Sequence, residues 1–260
     1  MRLQSKIKVK VGDKVIGGPH PLICLPLVAK DEADLLTQAK TLKQLVPDLF
    51  EWRIDAYSSV EDPGESLEAL KELQAFMEPI PMILTCRIHA EGGFKEISQE
   101  ARLKLITTAI ESGGVDIVDI EMCNEPAFIE TVKKAVNAND TRLILSYHNF
   151  SDTPEENFIH DKLVQAQDLG ADIAKLAVMP KNYADVLTLL GATLKASTGA
   201  VDVPIVTMSM GPEGGVTRLA GGLFGSDITF AIGKEASAPG QIPIGDLRQA
   251  MAVLYDMDLT

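Results

Sequence analysis

Lys175 stands in the run Ala174-Lys175-Leu176-Ala177-Val178, where apolar neighbours solvate an ammonium group poorly. Desolvation lowers a lysine pKa from its ordinary value of about 10.4, and a partly neutral lysine is a nucleophile toward ketones and aldehydes. The alternative is a lysine ion-paired to Glu121, Glu51 or Asp119, charged and structural. One predicted strand earlier, His148 closes Ile144-Leu145-Ser146-Tyr147-His148. Histidine, with an ordinary pKa of about 6.5, is the usual proton carrier at neutral pH. Beside an imine-forming lysine it is a base for the proton next to the iminium carbon; alone it reads equally as a hydrogen-bonded core histidine. Glu91 follows Arg87 by four residues, beyond a strand end. A carboxylate there can hold one ring nitrogen of His148 and stabilise the imidazolium, or it is a solvated loop glutamate.

Side chains of a strand alternate between faces, so polar groups of one parity share a direction. Glu51 and Arg53 share a parity, as do Thr85 and Arg87, Asp119 and Glu121, Ser146 and His148, and Thr207 and Ser209, with Lys175 alone on its strand. A single such residue reads as an edge-strand charge that guards against aggregation. Repetition along the chain predicts instead a polar interior site at the C-terminal ends of the strands. Gly214-Gly215-Val216-Thr217-Arg218 and Lys234-Glu235-Ala236-Ser237-Ala238-Pro239-Gly240-Gln241 follow the last two strands, where barrels often hold anionic groups. Arg218 can clamp a carboxylate in bidentate fashion, and the second segment has the make-up of a lid, though both also fit plain loops.

The elements that must position these residues are short apolar runs at Leu22–Val28, Leu49–Asp55, Met82–Ile88, Val115–Met122, Arg142–His148, Asp172–Val178, Val203–Met210 and Ile228–Gly233. Between them the periodicity is helical. Asp31 and Ser98 are predicted N-caps, Thr153-Pro154-Glu155-Glu156 reads as a capping box with proline at the first helical position, and Gly170 ends that helix. Alternation of strand and helix implies parallel pairing, and about eight units match the (β/α)8 TIM barrel. An open doubly wound sheet is the alternative, but neither nucleotide fingerprint of such sheets occurs. Ile7-Lys8-Val9-Lys10-Val11 turns at Gly12-Asp13 into Lys14-Val15-Ile16, a β-hairpin expected to close the bottom of the barrel. Residues 1–260 are expected to form a single domain.

With 24 basic and 37 acidic side chains the formal charge is −13, so nucleic acid and anionic lipid would be repelled. No apolar run is long enough to span a membrane and no apolar signal core opens the sequence, so a cytoplasmic location is expected. Cys24, Cys86 and Cys123 contain no C-x-x-C pair and read as buried packing. Neither the histidines nor the acidic residues show metal-ligand spacing, so no metal and no cofactor are expected.

Glu51-Trp52-Arg53, Thr85-Cys86-Arg87 with Glu91-Gly92-Gly93, Ser146-Tyr147-His148-Asn149-Phe150, Lys175-Leu176-Ala177-Val178-Met179-Pro180, Met208-Ser209-Met210-Gly211, Arg218-Leu219-Ala220-Gly221, Phe224-Gly225-Ser226 and Ala236-Ser237-Ala238-Pro239-Gly240-Gln241 together resemble type I 3-dehydroquinate dehydratase, in order from Ile23 to Gln241. The resemblance implies a barrel that dehydrates 3-dehydroquinate to 3-dehydroshikimate through an imine on Lys175. It implies His148 as acid and base, Glu91 as its orienting partner, and Arg218 on the substrate carboxylate with Ser237 and Gln241 closing over it. It implies Glu51, Arg53 and Arg87 on the ring hydroxyls and ketone side, a role in aromatic amino acid biosynthesis, and a homodimer. Two positions depart from the family pattern: Thr217 stands where serine commonly precedes the arginine, and Pro26 where some members have serine. The competing assignments are a class I aldolase, which also forms a lysine imine, and a catalytically silent barrel that binds a small acid.

Overall fold

The chain opens on alternating residues at β1 (Val9–Val11) and β2 (Lys14–Ile16), which pair antiparallel across Gly12-Asp13. The apolar runs that follow are almost wholly buried, as parallel strands covered by helices must be. In this computed structural model, which describes residues 2–233 and 237–256, they form β3 (Leu22–Leu27), β4 (Leu49–Arg53), β5 (Met82–Thr85), β6 (Ile117–Glu121), β7 (Arg142–Asn149), β8 (Ile173–Val178), β9 (Ile205–Ser209) and β10 (Ile228–Ile232). A two-residue strand, β11 (Ile242–Pro243), lies beside β10.

Neighbours in sequence are neighbours in space from β3 to β9, all parallel, and β10 returns to pair with β3. The remaining seam, between β9 and β10, has one parallel bridge, Ile205 to Ser226, and side chains complete it. Asp227 donates its N–H to the Ile205 carbonyl (2.6 Å), and its carboxylate accepts from Ile205 N–H (2.9 Å). The Ser226 hydroxyl accepts from Thr207 N–H at 3.1 Å. The result is the expected α/β barrel.

The helices are α1 (Glu32–Gln44), α2 (Pro63–Met77), α3 (Gln99–Glu111), α4 (Pro126–Ala138), α5 (Glu156–Asp168), α6 (Tyr183–Thr198), α7 (Gly215–Ala220) and α8 (Ile244–Tyr255). Asp31 caps α1 through Asp34 N–H and Ser98 caps α3 through Ala101 N–H, as expected. The capping box at Thr153 does not form. Helix α5 starts at Glu156 with no side-chain cap, and the Thr153 hydroxyl instead donates to the Met179 carbonyl at 3.0 Å, tying this loop to the end of β8. Gly170, at φ +91°, ends α5 as predicted.

Two apolar clusters result. One lies between strands and helices and contains Trp52, Phe50, Leu25 and Phe128, all essentially unexposed. The other fills the barrel, with Leu49, Ile83, Ile117, Ile144 and Ile173 at the strand starts, and Val9, Val11 and Ile16 of the hairpin packed against them. The hairpin thus caps the N-terminal end and leaves the C-terminal end for polar groups. Ile16 is wholly buried under this floor, so Ile16→Ala should cost about 2–4 kcal/mol of stability in urea denaturation while leaving the chemistry at the opposite end unchanged.

Candidate active site

The interior residues of the strands form rows. The lower row is aliphatic; the upper row is Glu51, Thr85, Asp119, Ser146 and Lys175, with Arg53, Arg87, Glu121 and His148 one interior position higher on their strands. Apart from Arg53, which forms a bidentate pair with Asp55 at 2.9 Å on both oxygens, the charges interlock across strands.

Asp119, with no exposure, accepts from Lys175 Nζ (2.6 Å), Arg87 (2.9 Å) and the Ser146 hydroxyl (2.6 Å). Burial alone would raise its pKa, but Arg87 and Lys175 more than offset this and hold it well below the usual carboxylate range. Lys175 also lies 3.4 Å from Glu51 Oε1, which accepts from the Thr85 hydroxyl (2.8 Å), and 4.6 Å from the centroid of the Phe230 ring. Of the three ion-pair partners open from sequence, Asp119 and Glu51 are in contact with Lys175, and Glu121 is turned toward Arg87.

Glu91 sits on a short 3-10 turn, His89–Glu91, directly after β5. Gly92 must follow at φ +87°, where a Cβ would fall 2.5 Å from the Phe150 ring. One oxygen of Glu91 accepts from both the backbone N–H of His148 and its Nδ1, each at 2.9 Å; the other accepts from the Cys123 thiol at 3.2 Å. Burial pushes Glu91 up to about 7. Burial, with the positive charge of Arg87 and Lys175, drives His148 well below its ordinary value, so the ring is neutral at pH 7. Nδ1–H then donates to Glu91 and Nε2 is the basic nitrogen.

Glu51, Arg53, Arg87, Glu91, His148, Lys175, Ser237 and Gln241 all line one cavity. Arg218 does not line it. Its guanidinium donates to the carbonyls of Phe230 (3.3 Å) and Pro239 (3.0 Å), behind the wall, and no carboxylate among the described residues lies within 4.0 Å. Burial brings its pKa down to about 10. Ser237 N–H donates to Gln241 Oε1 (2.9 Å) and Gln241 Nε2 to the Ser237 hydroxyl (3.1 Å). Lys234, Glu235 and Ala236 of the predicted lid segment lie outside the described residues.

The seventh barrel strand corrects the sequence reading. Thr207 and Ser209 face outward, Thr207 sharing a 2.8 Å hydrogen bond with Thr193 of α6, while Val206, Met208 and Met210 face the axis. Hydroxyl type suggested the wrong parity, because small hydroxyls serve equally well to tie a strand to its covering helix. Met208, Met210, Phe230 and Phe150, none of them read from sequence as site residues, supply the apolar lining. The parity opposite to Thr207 was the one available clue. Asp55, the clamp on Arg53, shares its i+2 parity and was equally legible. Cys24 and Cys86 are buried as expected, but Cys123 is exposed. Thr217 accepts from Ser209 N–H at 3.0 Å and so serves the loop before α7. Pro26 is buried in register with Glu51, beyond the residues of β3 that pair with β10.

The type I 3-dehydroquinase family model matches residues 23–258. A 3-dehydroquinate dehydratase of Aromatoleum aromaticum is 43% identical, covering 98% of this chain and 97% of the relative. The crystal structure of 3-dehydroquinate dehydratase from Geobacillus kaustophilus HTA426 superposes with a TM-score of 0.95 at 38% identity, covering 99% of this chain and 100% of that one. The type I enzyme from Clostridium difficile, solved with covalent modified comenic acid, gives 0.93 at 38% identity over 96% of this chain and 98% of that one.

The outward hydroxyl and inward thioether make opposite predictions. Thr207→Val should cost about 1 kcal/mol of stability with unchanged turnover, whereas Met208→Ala should raise KM roughly three- to tenfold at little cost in kcat; steady-state kinetics and urea unfolding check both. A second prediction concerns Glu91, whose folded pKa of about 7 exceeds the ordinary carboxylate value. Between those values the folded state binds more protons than the unfolded one, so this contribution to stability is present at low pH and lost as pH rises through about 7. The stability of Glu91→Gln relative to wild type should therefore rise between about pH 4.5 and about pH 7.5 in urea titrations.

Proposed function

This chain belongs to the type I 3-dehydroquinase family and is a hydro-lyase acting on 3-dehydroquinate, and we propose that it removes water through an imine on Lys175. The observation that carries the proposal is the meeting in one cavity of a buried lysine amine and a neutral histidine whose Nδ1 is held by a carboxylate. That the Clostridium difficile relative was solved with covalent modified comenic acid is in keeping with covalent chemistry on the enzyme.

Lys175, held as an ammonium against Asp119, gives up two protons to the carbonyl oxygen as its nitrogen adds to the substrate ketone, and that oxygen leaves as water, giving an iminium that withdraws electrons from the neighbouring carbon. His148 Nε2 takes a proton from that carbon, and the electron pair moves into an enamine. Glu91 stabilises the imidazolium across the 2.9 Å contact. The enamine then expels the hydroxyl, His148 returns its proton so that water departs, and hydrolysis of the conjugated iminium releases 3-dehydroshikimate and frees Lys175. Asp119 keeps the Lys175 side chain and Arg87 in register through this cycle.

Arg218 is the cation we assign to the substrate carboxylate. Movement of the Pro239 carbonyl that it now binds would open its fork to the cavity, and Ser237 and Gln241 would close over the ligand. Glu51, Arg53 and Arg87 hold the hydroxyls and the ketone side. We propose separately, from the sequence and the family resemblance, that the enzyme is a cytoplasmic homodimer. Family membership sets aside the aldolase and the silent barrel.

Incubation with 3-dehydroquinate and borohydride, followed by intact-mass measurement and peptide mapping, tests the mechanism. The expected result is a reduced adduct on Lys175 in wild type, none in Lys175→Ala, and an adduct in His148→Ala with turnover reduced roughly a thousandfold or more. Undiminished turnover in His148→Ala, or active wild-type protein with no adduct, would refute it.

A further inference from the structure

Helix α3 turns one charged residue inward. Its buried face is Leu105, Ile106, Ala109 and Ile110, and with them Arg102 is only 2% exposed. A cation there is costly unless its donors are satisfied and a negative charge faces it. Both conditions are met at the rim of the barrel. Arg102 Nε donates to the Cys86 carbonyl (3.1 Å), Nη1 to Asn124 Oδ1 (3.0 Å) and Nη2 to Glu121 Oε2 (2.5 Å), while the guanidinium lies 5.3 Å from the Phe128 ring centroid. The acceptors come from the ends of β5 and β6, so the side chain links the helix layer to the strand ends.

Glu121 is the pivot of this link. Its Oε2 accepts from Arg102 and from Asn124 Nδ2 (3.1 Å); its Oε1 accepts from Arg87 (2.9 Å) and from Ile88 N–H (3.1 Å). One oxygen serves α3 and the other serves the cavity. Arg87 uses its other terminal nitrogen on Asp119, which holds Lys175. Ile88 opens the turn that carries Glu91, its carbonyl accepting from Glu91 N–H (3.0 Å) and Gly93 N–H (2.9 Å).

We propose that Arg102 is a positioning residue for the dehydration: by fixing Glu121 from behind, it keeps Arg87 on Asp119 and the Glu91 turn against His148. The inference rests on the assignment of Lys175 and His148 as the reacting groups. Without Arg102, Glu121 Oε2 faces the apolar side of α3 with only Asn124 to satisfy it, and the carboxylate turns toward Arg87. The Arg87 fork can then no longer serve Glu121 and Asp119 in its present geometry, and Lys175 and Glu91 shift with it. A displacement of this kind acts on the chemical step more than on binding.

The test is a double-mutant cycle in the full-length enzyme with 3-dehydroquinate as substrate, accompanied by thermal unfolding of each variant. Arg102→Leu is expected to lower kcat roughly tenfold with KM within about twofold, and Arg102→Lys, which restores a charge opposite Glu121, to recover kcat to within about threefold of wild type. In a Glu121→Gln background, Arg102→Leu should change kcat by less than about twofold, because the residue acts through that carboxylate. Arg102→Gln replaces Arg102→Leu in the cycle if the leucine variant does not fold. An equal loss of kcat in both backgrounds, or full activity of the Arg102 variant while Lys175→Ala is inactive, overturns the proposal alone. Full activity of Lys175→Ala overturns the site assignment and this proposal with it.

Discussion

Asp119 is sealed inside the barrel, yet it stays ionised, because Lys175 and Arg87 face it together. Each of these three groups would be expensive to bury alone, and removing any one leaves the others uncompensated. The contact therefore sets conditions on the whole molecule. Four successive parallel strands must bring residues 119, 146 and 175, with Arg87 one interior position higher, together on one face, and only closure of the sheet lets Lys175 also reach Glu51 across the barrel. The hydroxyl of Ser146 completes the layer by accepting from Arg87 (2.7 Å) while donating to Asp119 (2.6 Å).

The two ends of the barrel divide the labour that this requires. The N-terminal end is filled by isoleucines and closed by the hairpin, so apolar burial there stabilises a fold whose other end is occupied by charge. Because the lower layer is apolar and buried, the upper layer sits in a medium where desolvation is strong. That desolvation lifts Glu91 to about 7 and, with the nearby cations, keeps His148 neutral. The pair is poised for proton transfer by burial in common, with Glu91 fixing which nitrogen is free.

The helix layer is also part of the site's support. Arg102 reaches Glu121 from α3, Thr193 of α6 ties down Thr207, and Thr217 secures the end of β9 through Ser209 N–H. These polar links cross the apolar layer between strands and helices at a few points, each satisfied in both directions. They explain why a side chain well away from the reacting atoms can matter to their geometry.

Much of this was readable in the sequence. Strand and helix alternation, the caps at Asp31 and Ser98, the hairpin turn, and the pairs Glu51/Arg53, Thr85/Arg87, Asp119/Glu121 and Ser146/His148 follow from local periodicity, which depends on backbone geometry alone. Chain order and side-chain type were likewise enough to carry the family resemblance. What only the tertiary structure decided is partnership. Thr207 and Ser209 have the same spacing as the inward pairs but face the helices, since parity is relative until a neighbouring strand sets the register. That Lys175 meets Asp119 rather than Glu121, that Glu91 reaches His148, and that Arg102 faces inward on α3 all depend on contacts across 19 to 57 residues of chain. Such contacts come from closing the barrel, and no local pattern encodes which charge will stand opposite which.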